Sequence, residues 1–168
     1  MALSSDIQHP RIGVGIILIR GNKILLGQRK GPRSPGFYGL PGGFLEKNES
    51  FEDGAKREIV EETGLKDVSL YPIFLISGIS DSIQFVDIVF YGIHKNGEPT
   101  VRETNRVEKW EWFSISELPS PLYKPTILAL KSFIANFYFY KINLWFQRWF
   151  PRRSISVQFI DSLNSEEQ

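Results

Sequence analysis

Apolar and polar positions divide the chain into short apolar runs, one strongly amphipathic segment and a long aromatic stretch near the end. Residues 12–20 (IGVGIILIR) read as a buried strand, 21–22 as a turn and 23–28 (KILLGQ) as its hairpin partner, an antiparallel start. Residues 31–43 (GPRSPGFYGLPGG) are too rich in glycine and proline for an element interior, which predicts a shaped loop with at most a short strand at 37–40. The pattern then turns helical over 50–63. Ser50 is placed to cap the helix, Glu52 and Asp53 suit its positive end, and Gly64 suits its stop. Strands are predicted at 69–76, 83–93 (IQFVDIVFYGI) and 108–113 (EKWEWF), with a turn or short helix at 114–118. Residues 125–150 have helical character, and the polar end from 154 reads as frayed.

The 168 residues are enough for one core, and a hydrophobic share of 42% with 23% charged residues describes an ordinary globular chain. With a net charge of +1 there is no global field for polymeric nucleic acid, so charge-based recognition has to be local. No cysteine and only two histidines exclude disulfides, thiol catalysis and cysteine-type zinc sites, so a metal would be held by oxygen. The N-terminus MALSSDIQHPR carries no secretory signal, and the expectation is a cytoplasmic protein.

Residues 43–65, GFLEKNESFEDGAKREIVEETGL, concentrate the chemistry. At 100° per residue, Glu58, Glu61 and Glu62 fall within an arc of roughly 100° on the predicted helix. Phe51, Ala55 and Ile59 are expected to form the neighbouring apolar face, and Gly54 to leave room over the carboxylates. Carboxylates about 5 Å apart repel by roughly 3 kcal/mol per pair at an effective dielectric of 20. A hard divalent cation, Mg²⁺ or Mn²⁺, would relieve that repulsion and take further ligands from substrate phosphates. On these residues alone a solvated acidic face is also open.

From Gly43 the order is glycine, five residues, Glu49, seven residues, Arg57-Glu58-Ile59, one residue, Glu61-Glu62, one residue, Gly64-Leu65. This order resembles the complete signature of the Nudix hydrolase family. The resemblance implies an α/β fold, an α/β/α sandwich around a mixed sheet, with a domain over 8–136 and an aromatic, basic extension over 137–168. It implies a metal site of Glu58, Glu61, Glu62 and the Gly43 carbonyl, and a catalytic set of Glu61, Arg57 and Glu49 in which Arg57 pairs with Glu49. For the general base it leaves Glu61, Glu103 and Glu108 open.

LLGQRKG at 25–31, LPGGFLE at 40–46 and EKWEWFSISELPSPL at 108–122 resemble the MutT-like subgroup, which hydrolyses nucleoside triphosphates, modified ones included, to monophosphates. That likeness implies Arg29 toward the phosphates, Gly42 and Gly43 at the substrate, and Tyr38 and Trp112, with Phe37, as base-stacking residues. Residues 79–83 (ISDSI) lack the proline and tyrosine markers of the ADP-ribose and dinucleoside polyphosphate subgroups. A hydrolase of ADP-ribose or a nucleotide sugar and a non-catalytic nucleotide-binding module are the rival readings. Residues 131–153 hold nine aromatics, five cations and no acid. Core or homodimer packing, peripheral membrane contact and peptide docking are all compatible with that stretch.

Overall fold

In the computed structural model, residues 9–80 and 82–142 are described. The strands are β1 (Arg11–Arg20), β2 (Lys23–Arg29), β3 (Tyr38–Gly39), β4 (Gly42–Phe44), β5 (Ser69–Ser80), β6 (Ile83–Ile93) and β7 (Val107–Ser114). The helices are α1 (Phe51–Thr63) and α2 (Lys124–Ile142). The predicted elements are therefore present, with strand 69–76 extended to Ser80 and strand 108–113 by one residue at each end. Helix α2 is described to Ile142, so the expected helical character of 143–150 and the frayed end lie outside the described residues.

The sheet runs β3-β2-β1-β6-β5, with β4 also on β1 and β7 also on β2. Pairing of β1 with β6 is parallel and the other ladders are antiparallel, so the sheet is mixed. Both faces of β1 are buried, and its near-continuous apolar run is what a central strand requires. Val14, Ile16 and Leu18 pack with Ala55 and Ile59 of α1, whereas Ile17 and Ile19 pack with Ala129, Leu130 and Phe133 of α2. The result is the expected α/β/α sandwich. Edge strand β5 accommodates Pro72 at a register shift, where a missing N–H leaves no central ladder bond unmade.

One irregularity in the sheet creates the site. Toward its C-terminal end β1 pairs with β2, through Ile19 and Arg20. At Gly13–Gly15 it pairs instead with β4, and Ile16 N–H donates to the Pro41 carbonyl at 2.9 Å. Changing partners along β1 parts it from β2 and opens a cleft between them. Gly42 makes this possible: its φ is +144°, and a Cβ there would collide with the Val14 carbonyl.

Candidate active site

Helix α1 is built to aim its acids at the cleft. The Ser50 hydroxyl accepts from Asp53 N–H at 3.1 Å, and Gly64 closes the other end with φ +72° and its N–H on the Val60 carbonyl. Ala55 and Ile59 anchor the buried face, but Phe51 is 41% exposed and does not join it. Phe51 opens the first turn, ahead of the part of the helix that reaches the sheet.

The three clustered glutamates separate. Glu58 and Glu62 are buried, while the Glu61 side chain is half exposed, turned to the solvent edge of the same stripe. Burial raises the Glu58 carboxyl above its usual range and pushes that of Glu62 up to about 8, against one N–H donated by Gly42 at 2.9 Å. Trp110 holds this end of α1 by donating its indole N–H to the Glu62 carbonyl at 3.0 Å.

Arg57 sits in the middle of the acids. Its guanidinium grips Glu49 with two bonds of 3.0 and 2.7 Å, and also reaches Glu58 at 2.9 Å, Glu61 at 3.0 Å and the Phe44 carbonyl at 3.2 Å. These bonds lower the Glu49 carboxyl to about 2 and raise Arg57 further. The Arg57–Glu49 pairing implied by the motif is present, and it ties the loop after β4 to the helix. Gly54 faces that same loop: a Cβ there would lie 2.7 Å from Leu45 and 3.0 Å from Glu49. Its bare Cα therefore admits the loop rather than leaving room over the carboxylates.

Among the described residues no three acidic or histidine side chains are gathered around one point, since Arg57 draws Glu58 and Glu61 to itself. The donor chemistry nonetheless fits a hard divalent ion. Burial raises both buried carboxylates, and neighbouring acids add to it, Glu61 and Glu103 for Glu58, and Glu58 and Glu103 for Glu62, so a cation held by their oxygens would relieve both. Gly43 adds a close approach: a Cβ there would collide with the Glu58 carboxylate, so glycine lets backbone and carboxylate meet.

The cleft has a volume of about 640 Å³. Gly42, Gly43, Arg57, Glu58, Glu61 and Glu62 lie along it with Arg29, Arg33, Glu103 and Arg106. Arg29 is held by its Nε–H donating to the Arg33 carbonyl at 3.2 Å and by stacking over the Tyr123 ring at 4.0 Å. Of the open base candidates, Glu61 and Glu103 line the cleft, whereas Glu108 is outside it, paired with Lys30 at 2.9 Å.

The expected base-stacking aromatics lie elsewhere. Tyr38 packs edge-on against Phe113, ring centres 5.3 Å apart, beside the α2 core, and Phe37 does not line the cleft. Trp112 stands two residues beyond Trp110 on β7, about 7 Å farther along the strand. It stacks with His94 and lies under the Arg20 guanidinium, at the end of β2 away from the cleft. The aromatic side chains that do line the cleft include Phe44, Phe85, Trp110 and Tyr123. Sequence reasoning also passed over Asp87, a half-buried acid on the cleft wall whose carboxyl burial raises to about 6. Its only signal is a lone charge in the apolar run of β6.

The family model for the NUDIX domain matches residues 9–137. Oxidized purine nucleoside triphosphate hydrolase of Mus musculus is 30% identical over 133 residues, covering 74% of this chain and 83% of that protein. ADP-ribose pyrophosphatase of Methanocaldococcus jannaschii is 35% identical over 113 residues, 66% of each chain, so this chain spans just under two thirds of its length. Among solved structures, a MutT Nudix hydrolase from Burkholderia pseudomallei superposes with a TM-score of 0.66 at 35% identity, over 73% of this chain and 97% of that one.

Proposed function

This chain belongs to the Nudix family, as a hydrolase acting on phosphoanhydride bonds of nucleotides or their derivatives, and we propose that it is a Mg²⁺-dependent pyrophosphohydrolase of nucleoside triphosphates. The products would be a nucleoside monophosphate and pyrophosphate. One observation carries the reading: a single cleft joins the buried Glu58 and Glu62 at Gly43 to the cations Arg29, Arg33 and Arg106. A polyphosphate needs both halves, anionic ligands for its metal and cations for its outer charge.

In this proposal Glu58, Glu61, Glu62 and the Gly43 carbonyl hold Mg²⁺ or Mn²⁺. Once bound, the ion would supply charge neutralisation at the phosphates and make an attacking water more acidic. Arg57 and Glu49 position the helix and act through geometry. Arg29 balances the charge that develops on the phosphate oxygens. Water attacks one phosphorus, its proton passes to Glu61 or Glu103, and the bridging oxygen departs with the leaving group. The catalytic unit is taken as 8–136, with 137–168 an extension, although α2 continues past that boundary to Ile142. In this proposal the extension takes no part in the chemistry, whether it meets a membrane surface or a second copy of the chain. Among the described residues no helix is long and apolar enough to cross a membrane.

ADP-ribose is the second reading, favoured by the 35% identity to the archaeal ADP-ribose pyrophosphatase. Product chromatography on a panel of nucleoside triphosphates, ADP-ribose and nucleotide sugars with Mg²⁺ separates the two. Monophosphate and pyrophosphate from a triphosphate are expected. A tenfold higher kcat/KM for ADP-ribose or a nucleotide sugar than for every triphosphate would overturn the substrate assignment.

A further inference from the structure

On the α2 side of the cleft, β1 and β6 lie side by side with Gly13 opposite Asp87 and Gly15 opposite Val89. On the other flank Asp87 is opposite Ile76 of β5. A Cβ at Gly13 would lie 2.7 Å from the Asp87 Oδ1, so the carboxylate leans over that glycine. A Cβ at Gly15 meets nothing within 4 Å, which leaves an open floor beside it. Gly15 and Asp87 both line the cleft, with Ile76, Phe85, Val89 and Ala129 forming apolar walls.

Asp87 is alone in this setting. Among the described residues no N–H or O–H donates to its carboxylate and no cation pairs with it, and desolvation is the single influence on its acidity. Half buried on the cleft wall, it has no protein donor, so a ligand entering the cleft can supply the donors that the protein does not. The surroundings suit a flat apolar ring, and the carboxylate presents two acceptors side by side.

We propose that Asp87 reads the nucleobase: the ring lies over Gly15, and the two carboxylate oxygens accept from two neighbouring N–H groups. Among the unmodified bases only guanine offers that pair, an imino N–H beside an amino group. Hypoxanthine retains one of the two, adenine and cytosine place an acceptor beside their amino group, and uracil and thymine set one N–H between carbonyls. Bidentate charge-assisted pairing is the strong form of this contact. The inference rests on the nucleotide-hydrolase reading and narrows its substrate to guanine nucleotides, including those altered away from this edge.

Calorimetric binding of GMP, IMP and AMP without metal at pH 8, to wild type, Asp87→Asn and Gly15→Leu, tests it. Wild type should bind GMP at least about tenfold more tightly than IMP or AMP, the effect of one charged hydrogen bond. Asp87→Asn should bring GMP down to the level of IMP, and Gly15→Leu should abolish binding of all three while still melting cooperatively. If the leucine variant misfolds, the nearly isosteric asparagine variant decides alone. Equal affinities in wild type, no binding of any of the three, or a guanine preference that survives Asp87→Asn would overturn the proposal. Guanine-selective binding without GTP turnover in Mg²⁺ would support the base contact and overturn the triphosphate reading alone.

Discussion

Asp87→Asn should make the metal-free protein more stable at pH 8, even as it removes a ligand contact. Burial holds the Asp87 carboxyl at about 6 against an ordinary 3.8. A raised carboxyl pKa means that the folded chain keeps its proton to higher pH than the unfolded chain. Between pH 3.8 and about 6 the unfolded chain therefore binds fewer protons, and stability falls as pH rises. Above that window the penalty is complete, about 3 kcal/mol at 1.36 kcal/mol per pKa unit. Asparagine is neutral at every pH and escapes it. For a domain of this size the gain corresponds to roughly 10 °C in Tm. The assay is urea and thermal denaturation of both proteins in EDTA at pH 4 and pH 8. The variant should lead by about 3 kcal/mol at pH 8 and by less than about 1 kcal/mol at pH 4. A wild type that is the more stable at pH 8, or a difference independent of pH, would refute the reasoning. A site residue that destabilises its own fold is what a stability–function compromise leads one to expect.

Arg57→Ala should remove the cation beside buried Glu58 and lower stability by about 2 kcal/mol, between the limits for exposed and buried pairs. In a double-mutant cycle with Glu49→Ala the losses of activity should be strongly non-additive, because the two residues act as one brace; additive losses would separate their roles. Gly43→Ala drives a methyl group into the Glu58 carboxylate and should weaken Mn²⁺ binding, measured by calorimetry, at least about tenfold, the low end of the effect of disturbing a ligand's support. Unchanged Mn²⁺ affinity in that variant would remove Gly43 from the site.

What could be read in the sequence follows from how local its causes are. Helix α1 was legible to the residue because Ser50 and Gly64 mark its ends through their own backbone preferences, whatever lies elsewhere in the fold. The spacing from Gly43 to Leu65 likewise carries its acids on one helix. Positions set by tertiary partners were not legible. The two tryptophans of β7 point to the same face, and only the strand register shows Trp110 beneath Glu62 and Trp112 beyond reach of the cleft. Gly54 looked like space over the acids until the loop bearing Leu45 and Glu49 filled it. Asp87 went unread because β6 is apolar on both faces, so alternation gives no indication which neighbours its carboxylate meets.

In the proposed function the α1 carboxylates, buried Glu62 and half-exposed Glu61 among them, hold the ion that makes phosphoanhydride hydrolysis possible. The most direct test of this is steady-state turnover of a nucleoside triphosphate at saturating Mg²⁺ by wild type, Glu61→Gln and Glu62→Gln, with wild type in EDTA alongside. kcat should fall at least about a hundredfold in each variant, with no turnover in EDTA. Near wild-type turnover in both variants, or metal-independent hydrolysis by the wild type, would contradict this reading.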